Sequence, residues 1–362
     1  MSKFWSERVW NLEPYVPGEQ PKDKKYIKLN TNENPYPPSP RVLKAIKETC
    51  NSDLRLYPDP ECESLRETIA DYYGLKKEQI FIGNGSDELL AFSFMAFFNP
   101  GESAGKPVLF PDITYSFYPV YASLFNVDYE TVALDEDFSV PVEKFYRENG
   151  GIILPNPNAP TGKYLPVESI LSIVEKNPDS VVIIDEAYID FGGRSVIPFI
   201  KQYPNLLVIH TLSKSRSLAG LRLGYALGSE ELIQGLDRVK NSFNSYTVDR
   251  LAVAGAIEAF KDEEYFQETR KRIMETRDRV TKSLKSMGFE VTDSKANFIF
   301  IKSPLVDALT LFQKLKEEGI LARHFNKPRI SNYLRVSIGS EEEMDFFVNV
   351  MSRILEEFNN QM

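Results

Sequence analysis

Apolar and polar positions fall into two textures along the chain. From about residue 78 to 228, short runs of consecutive aliphatic residues recur: IFIG, PVLF, GGIILP, SVVIID and NLLVIHT. A run without polar alternation reads as a strand buried on both faces. Between the runs stand segments with apolar residues at helical spacing, such as SDELLAFSFMAFF, SFYPVYASLF, PVESILSIVEKN and SEELIQGLDRVKN. Strands alternating with amphipathic helices predict an α/β fold with a largely parallel sheet covered on both sides. Upstream, LNTNENPYPPSP is a Pro/Asn-dense extended segment. It is followed by a helix capped by Ser39 with Pro40 in its first turn, and by a second helix ended at Gly74. After about residue 248 the texture changes to long charged helices. The strand-like pieces FEVTDSKANFIFIK, ILARHF and YLRVSIG then alternate with helices, which predicts a smaller α+β domain.

Composition narrows the function classes. The chain has 362 residues, enough for a sizeable core and two domains. No run approaches the ~20 apolar residues of a membrane helix, and MSKFWSERVW lacks a signal-peptide core. The net charge of −9 and the absence of a basic stripe argue against nucleic acid. Any anionic substrate must therefore be held by locally placed arginines. A total of two histidines argues against a His-rich metal site or a His-based triad, and Cys50 and Cys62, without close metal or redox spacing, suit a reducing cytosol. The expected partners are small molecules.

Four strand ends carry unusual polar residues, at the carboxyl edge where open α/β sheets bind ligands. In GNGSDE, Gly83 and Gly85 permit tight backbone geometry, and the amides of Gly85, Ser86 and Asp87 at a helix start suit an anion. A dinucleotide G-x-G-x-x-G fails there, because Glu88 stands at the third glycine; a capped helix start without a ligand is the plain alternative. IIDEAYIDF buries Asp185 and Glu186, whose desolvation demands a cationic or donor-rich partner: a protonated pyridine, Mg²⁺ or a structural pair. NPNAPTG reads by itself as a turn. In TLSKSRSLAGLRLG, Lys214 is placed for Schiff-base chemistry, and Ser213 and Arg222 are placed to take phosphate oxygens. An anion nest, a buried acid, a lysine and a Ser/Arg clamp together match one cofactor, pyridoxal 5′-phosphate (PLP).

With these motifs in order, joined by YPDPE, PDITYSFY, the ANF of KANFIFI and YLRVSIG, nearly the whole chain resembles the PLP-dependent aminotransferases of fold type I, the aspartate aminotransferase superfamily. NENP and DEAYIDF favour its histidinol-phosphate branch. The resemblance implies a doubly wound sheet in a large domain (41–255), an N-terminal arm (1–40) that joins the small domain, and a small C-terminal domain (256–362). It implies that Lys214 holds PLP as a Schiff base and moves the proton, that Asp185 keeps the pyridine nitrogen protonated, and that Tyr188 bonds the ring's phenolic oxygen. Tyr115 would stack on the ring. Gly85, Ser86, Asp87, Ser213 and Arg222 would hold the phosphate, with Tyr57 reaching over from the second subunit of a homodimer. The pattern expects an asparagine at Ala159. Asn158 is the candidate substitute, although a one-residue shift in an extended segment turns a side chain the other way.

The implied reaction interconverts L-histidinol phosphate plus 2-oxoglutarate with imidazole acetol phosphate plus L-glutamate, a step of histidine biosynthesis. Arg335 and Arg323 would bind the substrates' carboxylate and phosphate groups, and Tyr15 would close over the phosphate. Arg323 is the expected selector for phosphorylated substrates. An aromatic-amino-acid aminotransferase and a threonine-phosphate decarboxylase share the same cofactor set.

Overall fold

A computed structural model describes residues 3–101 and 106–360. At its centre lies a seven-stranded sheet in the order Ile80–Gly83, Gly224–Leu227, Leu206–Thr211, Val182–Asp185, Gly151–Pro155, Val108–Pro111, Tyr129–Val132. The five strands from Leu206–Thr211 to Tyr129–Val132 run parallel, as the alternation of strands and helices predicts. Gly224–Leu227 is the exception, antiparallel to both its neighbours. Its connection from Thr211 holds only the three-residue helix Ala219–Leu221, so no crossover helix carries the chain back before the strand begins. The edge strand Tyr129–Val132 goes beyond the sequence expectation. Only Val132 of its four residues is buried, so no aliphatic run marks it.

Side chains alternate across this sheet with period two, and each face has its own core. Ile82, Leu154, Val182, Ile184 and Val208 pack on one face beneath the helices Val167–Lys176 and Arg250–Lys261. Phe81, Phe110, Ile153, Ile183 and Ile209 pack on the other, beneath Gly85–Phe97 and Phe117–Phe125. Residues just beyond a strand inherit this alternation, which decides where Asp185 and Glu186 point.

The predicted helix after Ser39 runs Pro40–Thr49, with the Ser39 hydroxyl accepting from the Val42 amide at 3.3 Å. The next, Glu63–Tyr73, ends at Gly74 with φ +65, a left-handed conformation that favours glycine. A second, antiparallel sheet orders Arg323–His324, Leu334–Ser337, Phe298–Lys302 and Glu290–Val291. Its core joins Leu29 to residues of the helices Glu263–Ser286, Ala308–Glu317 and Glu341–Asn359. Ile27–Lys28 pairs in parallel with Ile320–Leu321, and the Ser337 amide donates to Leu29 O at 2.9 Å. These bonds carry residues 30–34 along the small sheet and up to the carboxyl edge of the large one. No helix among the described residues is long and apolar enough to cross a membrane.

Candidate active site

Where the carboxyl edge of the large sheet meets the segment 30–32, a cavity of about 460 Å³ opens. Lys214, Asp185, Tyr188, Ser86, Asp87, Tyr115, Ser213 and Arg222 all line it, so four separate strand ends converge there. Tyr15, Arg323 and Arg335 line its outer part.

Asp185 ends its strand on the same face as Ile183 and is 5% exposed. Its Oδ2 accepts the Tyr118 hydroxyl at 2.9 Å and its Oδ1 accepts the Ala187 amide at 3.2 Å. Burial pushes this carboxyl up to about 6; the two donors pull it back only in part, and the charge of Asp87 adds to the rise. No cation pairs with it among the described residues. Glu186, one residue on, turns to the opposite face. There its carboxylate meets His210 Nε2 at 2.8 Å, the Ser195 hydroxyl at 2.5 Å and the Val196 amide at 2.9 Å. The acidic pair read in the sequence thus divides into one group for the cavity and one structural anchor.

Lys214 leaves the neighbouring strand, and its Nζ donates to Thr31 O at 3.1 Å. Its ammonium stands 5.7 Å from the ring centroid of Tyr188. The Tyr188 hydroxyl accepts from Asn32 Nδ2 at 3.0 Å.

At the inner end of the cavity the helix Gly85–Phe97 begins, and its first amides have no intrahelical acceptor. Arg222, held at φ +52, donates to Asp87 Oδ2 at 3.2 Å and to Ser213 Oγ at 3.5 Å. Gly85 has φ +82, and a Cβ there would sit 2.7 Å from Arg222 Nη2. Tyr115 donates to Asp87 Oδ1 at 2.8 Å; burial, then the charge of Asp87, drives its phenol well above the ordinary range.

Arg335 donates to Asn30 O at 2.9 Å, while its buried Nε has no partner. Burial lowers its guanidinium from the ordinary value, and the charge of Arg323 acts in the same direction. The fork of Arg323 is taken by the arm, donating to Val16 O at 3.1 Å and Pro17 O at 3.3 Å. Tyr15 stacks on Phe117 with centroids 4.2 Å apart.

Two sequence candidates stand outside this group. Asn158 is turned inward: its Nδ2 donates to Ile113 O and to Thr161 Oγ1, both at 3.0 Å. Ala159, not Asn158, lines the cavity. Tyr57 is 79% exposed and stacked on Tyr246 at 4.7 Å, away from the cavity of its own chain. Conversely, Tyr118, Thr31 and Asn32 belong to the site although the sequence reading passed over them. Tyr118 follows Tyr115 across the start of the helix Phe117–Phe125, and their rings meet edge-on at 5.7 Å, a contact that no sequence pattern marks.

The residues fit PLP on three observations. A buried carboxylate without a cationic partner suits a protonated ring nitrogen. A lysine amine whose one hydrogen-bond partner among the described residues is a carbonyl suits an aldehyde. A helix start joined to a serine and an arginine, at a glycine whose missing Cβ leaves room, suits a phosphate.

The family described as aminotransferase class I and II matches residues 24–351. A histidinol-phosphate aminotransferase of Clostridium acetobutylicum is 62% identical over 349 residues, 96% of this chain and 98% of that one. Another, from Clostridium beijerinckii, is 57% identical over 361 residues, 100% of this chain and 99% of that one. Among solved structures, the histidinol-phosphate aminotransferase of Sinorhizobium meliloti in complex with pyridoxal-5′-phosphate superposes with a TM-score of 0.89 at 25% identity, covering 99% of both chains. Aspartate aminotransferase of Thermus thermophilus with maleate has a TM-score of 0.82 at 20% identity over 98% of this chain and 100% of its own, a likeness of fold.

Proposed function

We propose, for a chain that belongs to the class I and II aminotransferase family, that its substrates are L-histidinol phosphate and 2-oxoglutarate, interconverted with imidazole acetol phosphate and L-glutamate. The observation that carries the reading is the meeting of Lys214, Asp185 and the Gly85–Arg222 cradle around one cavity that also holds two arginines. The high-identity relatives named for this reaction support the substrate.

PLP, when bound, supplies an aldehyde for amines to condense with and a ring that spreads the electron pair left when the substrate carbon loses its proton. The chain's own residues do the rest. Lys214 Nζ, which donates to Thr31 O, would take the proton from the substrate carbon and would be the group that carries it across the nitrogen to the former aldehyde carbon. Asp185 holds a positive charge at the ring nitrogen, and Tyr118 keeps the carboxylate ionised by donating to it. Tyr188 offers its hydroxyl to the ring oxygen. The amides of Ser86 and Asp87, with Ser213 and Arg222, hold the phosphate. Tyr115 lies against the ring.

Arg335, which lines the cavity, meets the carboxylate of glutamate with its guanidinium fork. Arg323 exchanges the arm's carbonyls for the phosphate of histidinol phosphate, a more strongly charged acceptor. Tyr15 and the arm then shut water out.

The active form is a homodimer in this reading. Tyr57, Tyr246 and Phe243 are large exposed hydrophobic side chains, and Tyr57 stacks on Tyr246, which suits contact with a second copy. Tyr57 of each copy then completes the phosphate site of the other. Residues 1–40 and the C-terminal part form a small domain against the large one. The expected boundary at 255/256 falls inside the helix Arg250–Lys261, whose Ala256, Ala259 and Phe260 pack in the core of the large sheet, so the small domain begins after that helix. Two unpaired cysteines suit the cytoplasm. Purified protein given PLP and L-histidinol phosphate should produce glutamate from 2-oxoglutarate; absence of turnover with this substrate alongside turnover of phenylalanine would move the chain to an aromatic specificity.

A further inference from the structure

Asn32 is 1% exposed, and each of its four polar groups is committed. Its amide N–H donates to Ser337 Oγ at 2.8 Å, and the Ser337 hydroxyl gives its single proton to Asn32 Oδ1 at 3.0 Å. Its carbonyl accepts from Asn297 Nδ2 at 3.0 Å. This leaves Nδ2, which donates to the Tyr188 hydroxyl at 3.0 Å. With Oδ1 taking the Ser337 proton, the end of the amide that faces Tyr188 is Nδ2, a pure donor. The hydroxyl must therefore accept from Asn32, and its own proton is free to point elsewhere.

The other side of Tyr188 supplies no donor. Its ring packs against Ala159, Ala296 and Phe298, meeting Phe298 edge-on at 5.1 Å and 89°. Ala159 stands where the sequence pattern expects an asparagine, and Asn158 turns to Ile113 instead. The charged and titratable groups around the tyrosine are Lys214 from the neighbouring strand end, Arg335 from the small sheet, and Tyr115 and Asp185 across the cavity. None of them bonds the Tyr188 hydroxyl among the described residues. Asn32 alone sets its orientation.

We infer that Asn32 is a positioning residue: its amide holds the Tyr188 hydroxyl so that the hydroxyl proton points into the cavity, a constraint that the NPNAPTG turn does not supply in this chain. The inference rests on the PLP reading above, since the proton so aimed meets the ring oxygen of that cofactor. It also gives the N-terminal segment a part in the chemistry. Asn30 O holds Arg335, Thr31 O holds Lys214 and Asn32 Nδ2 holds Tyr188, so three consecutive residues place a substrate arginine, the lysine and the tyrosine.

The test is the pH midpoint of the visible band of the resting holoenzyme, a property read without turnover. A donor aimed at the ring oxygen favours the state that has lost a proton and carries more negative charge, so removing the aim moves the midpoint to higher pH. Asn32→Gly keeps the left-handed backbone, φ +56, and deletes the amide. It should raise the midpoint by about one pH unit, the scale of one hydrogen bond to a charged group. Tyr188→Phe should raise it at least as far, and the double variant no further than Tyr188→Phe alone. Should Asn32→Gly fail to fold, Asn32→Ala also deletes the amide without adding a charge and is read the same way. An unchanged midpoint in the coloured Asn32 variant, or two shifts that add in the double variant, would overturn the inference and leave the PLP reading standing. A wild-type protein that stays colourless with PLP would overturn that reading and this inference together.

Discussion

The Tyr118 hydroxyl lies 2.9 Å from Asp185 Oδ2 and is the only side chain among the described residues that donates to this carboxylate. Tyr118 is completely buried, so its phenol has no other role that water could fill. Burial, and after it the charge of Asp185, drives the Tyr118 phenol well above its ordinary range, which keeps it a donor at every working pH. Tyr118→Phe removes that donor without opening a cavity. Activity should fall roughly tenfold, the scale of one bond to a charged acceptor. The acid limb of the pH–rate profile should also move to higher pH, because the carboxylate is then easier to protonate. A Tyr118→Phe enzyme with an unshifted profile would remove Tyr118 from the site.

Asp185 also makes a prediction for the ligand-free protein. Its folded value of about 6 lies above the unfolded carboxylate value of about 3.9. Between these values the folded state holds more protons than the unfolded one, so stability falls as pH rises from about 4 to 6 and stays lower above that window. Asp185→Asn has no such group. The difference in denaturation midpoint between variant and wild type, measured without PLP, should grow in favour of the variant across that window. A flat difference would mean the carboxylate is already compensated.

How much of this was legible in the sequence depends on what each residue's role required. Lys214, Asp185 and Ser213 were readable because each follows an aliphatic run, and a strand buried on both faces delivers its end to one edge. Arg222 was readable from the motif it shares with Lys214, just ahead of the strand Gly224–Leu227. Asp185 and Glu186 stood in the sequence as one buried acidic pair, but alternation along the strand sends Glu186 to His210 on the far face. Asn158 failed as a substitute for the same reason: the extended backbone turns it away and presents Ala159. Tyr118, Thr31 and Asn32 were not found, because their roles are contacts between segments distant in the chain, and no local pattern encodes them. The antiparallel strand Gly224–Leu227 likewise follows from a short connection, not from its own residues.

Gly85 tests the phosphate cradle. An added methyl would meet Arg222 at 2.7 Å, on a backbone at φ +82 that L residues rarely adopt. Gly85→Ala should weaken PLP binding by at least roughly tenfold and cost about 1–2 kcal/mol of stability. Absorbance titration with PLP, alongside thermal unfolding, separates the two effects. Full PLP affinity in this variant would place the phosphate elsewhere.

Arg323 tests substrate choice. Its fork is held by Val16 O and Pro17 O, and it faces the same cavity as Arg335. Arg323→Ala should lower kcat/KM for L-histidinol phosphate by roughly 10²-fold, the loss of two charge-assisted bonds. Activity with glutamate should fall less, since Arg335 remains. The arm should also become more open to limited proteolysis, having lost its anchor. Equal losses for both substrates would make Arg323 a general anion site and not the selector.

The central claim is that Lys214, Asp185 and the Gly85–Arg222 cradle hold PLP for transfer of an amino group from L-histidinol phosphate. It is tested most directly by the visible absorbance of the purified protein with PLP. The expected result is a yellow band that bleaches with L-histidinol phosphate, returns on adding 2-oxoglutarate, and responds far less to phenylalanine. A band indifferent to L-histidinol phosphate would contradict the substrate assignment, and a protein colourless with PLP would contradict the site itself.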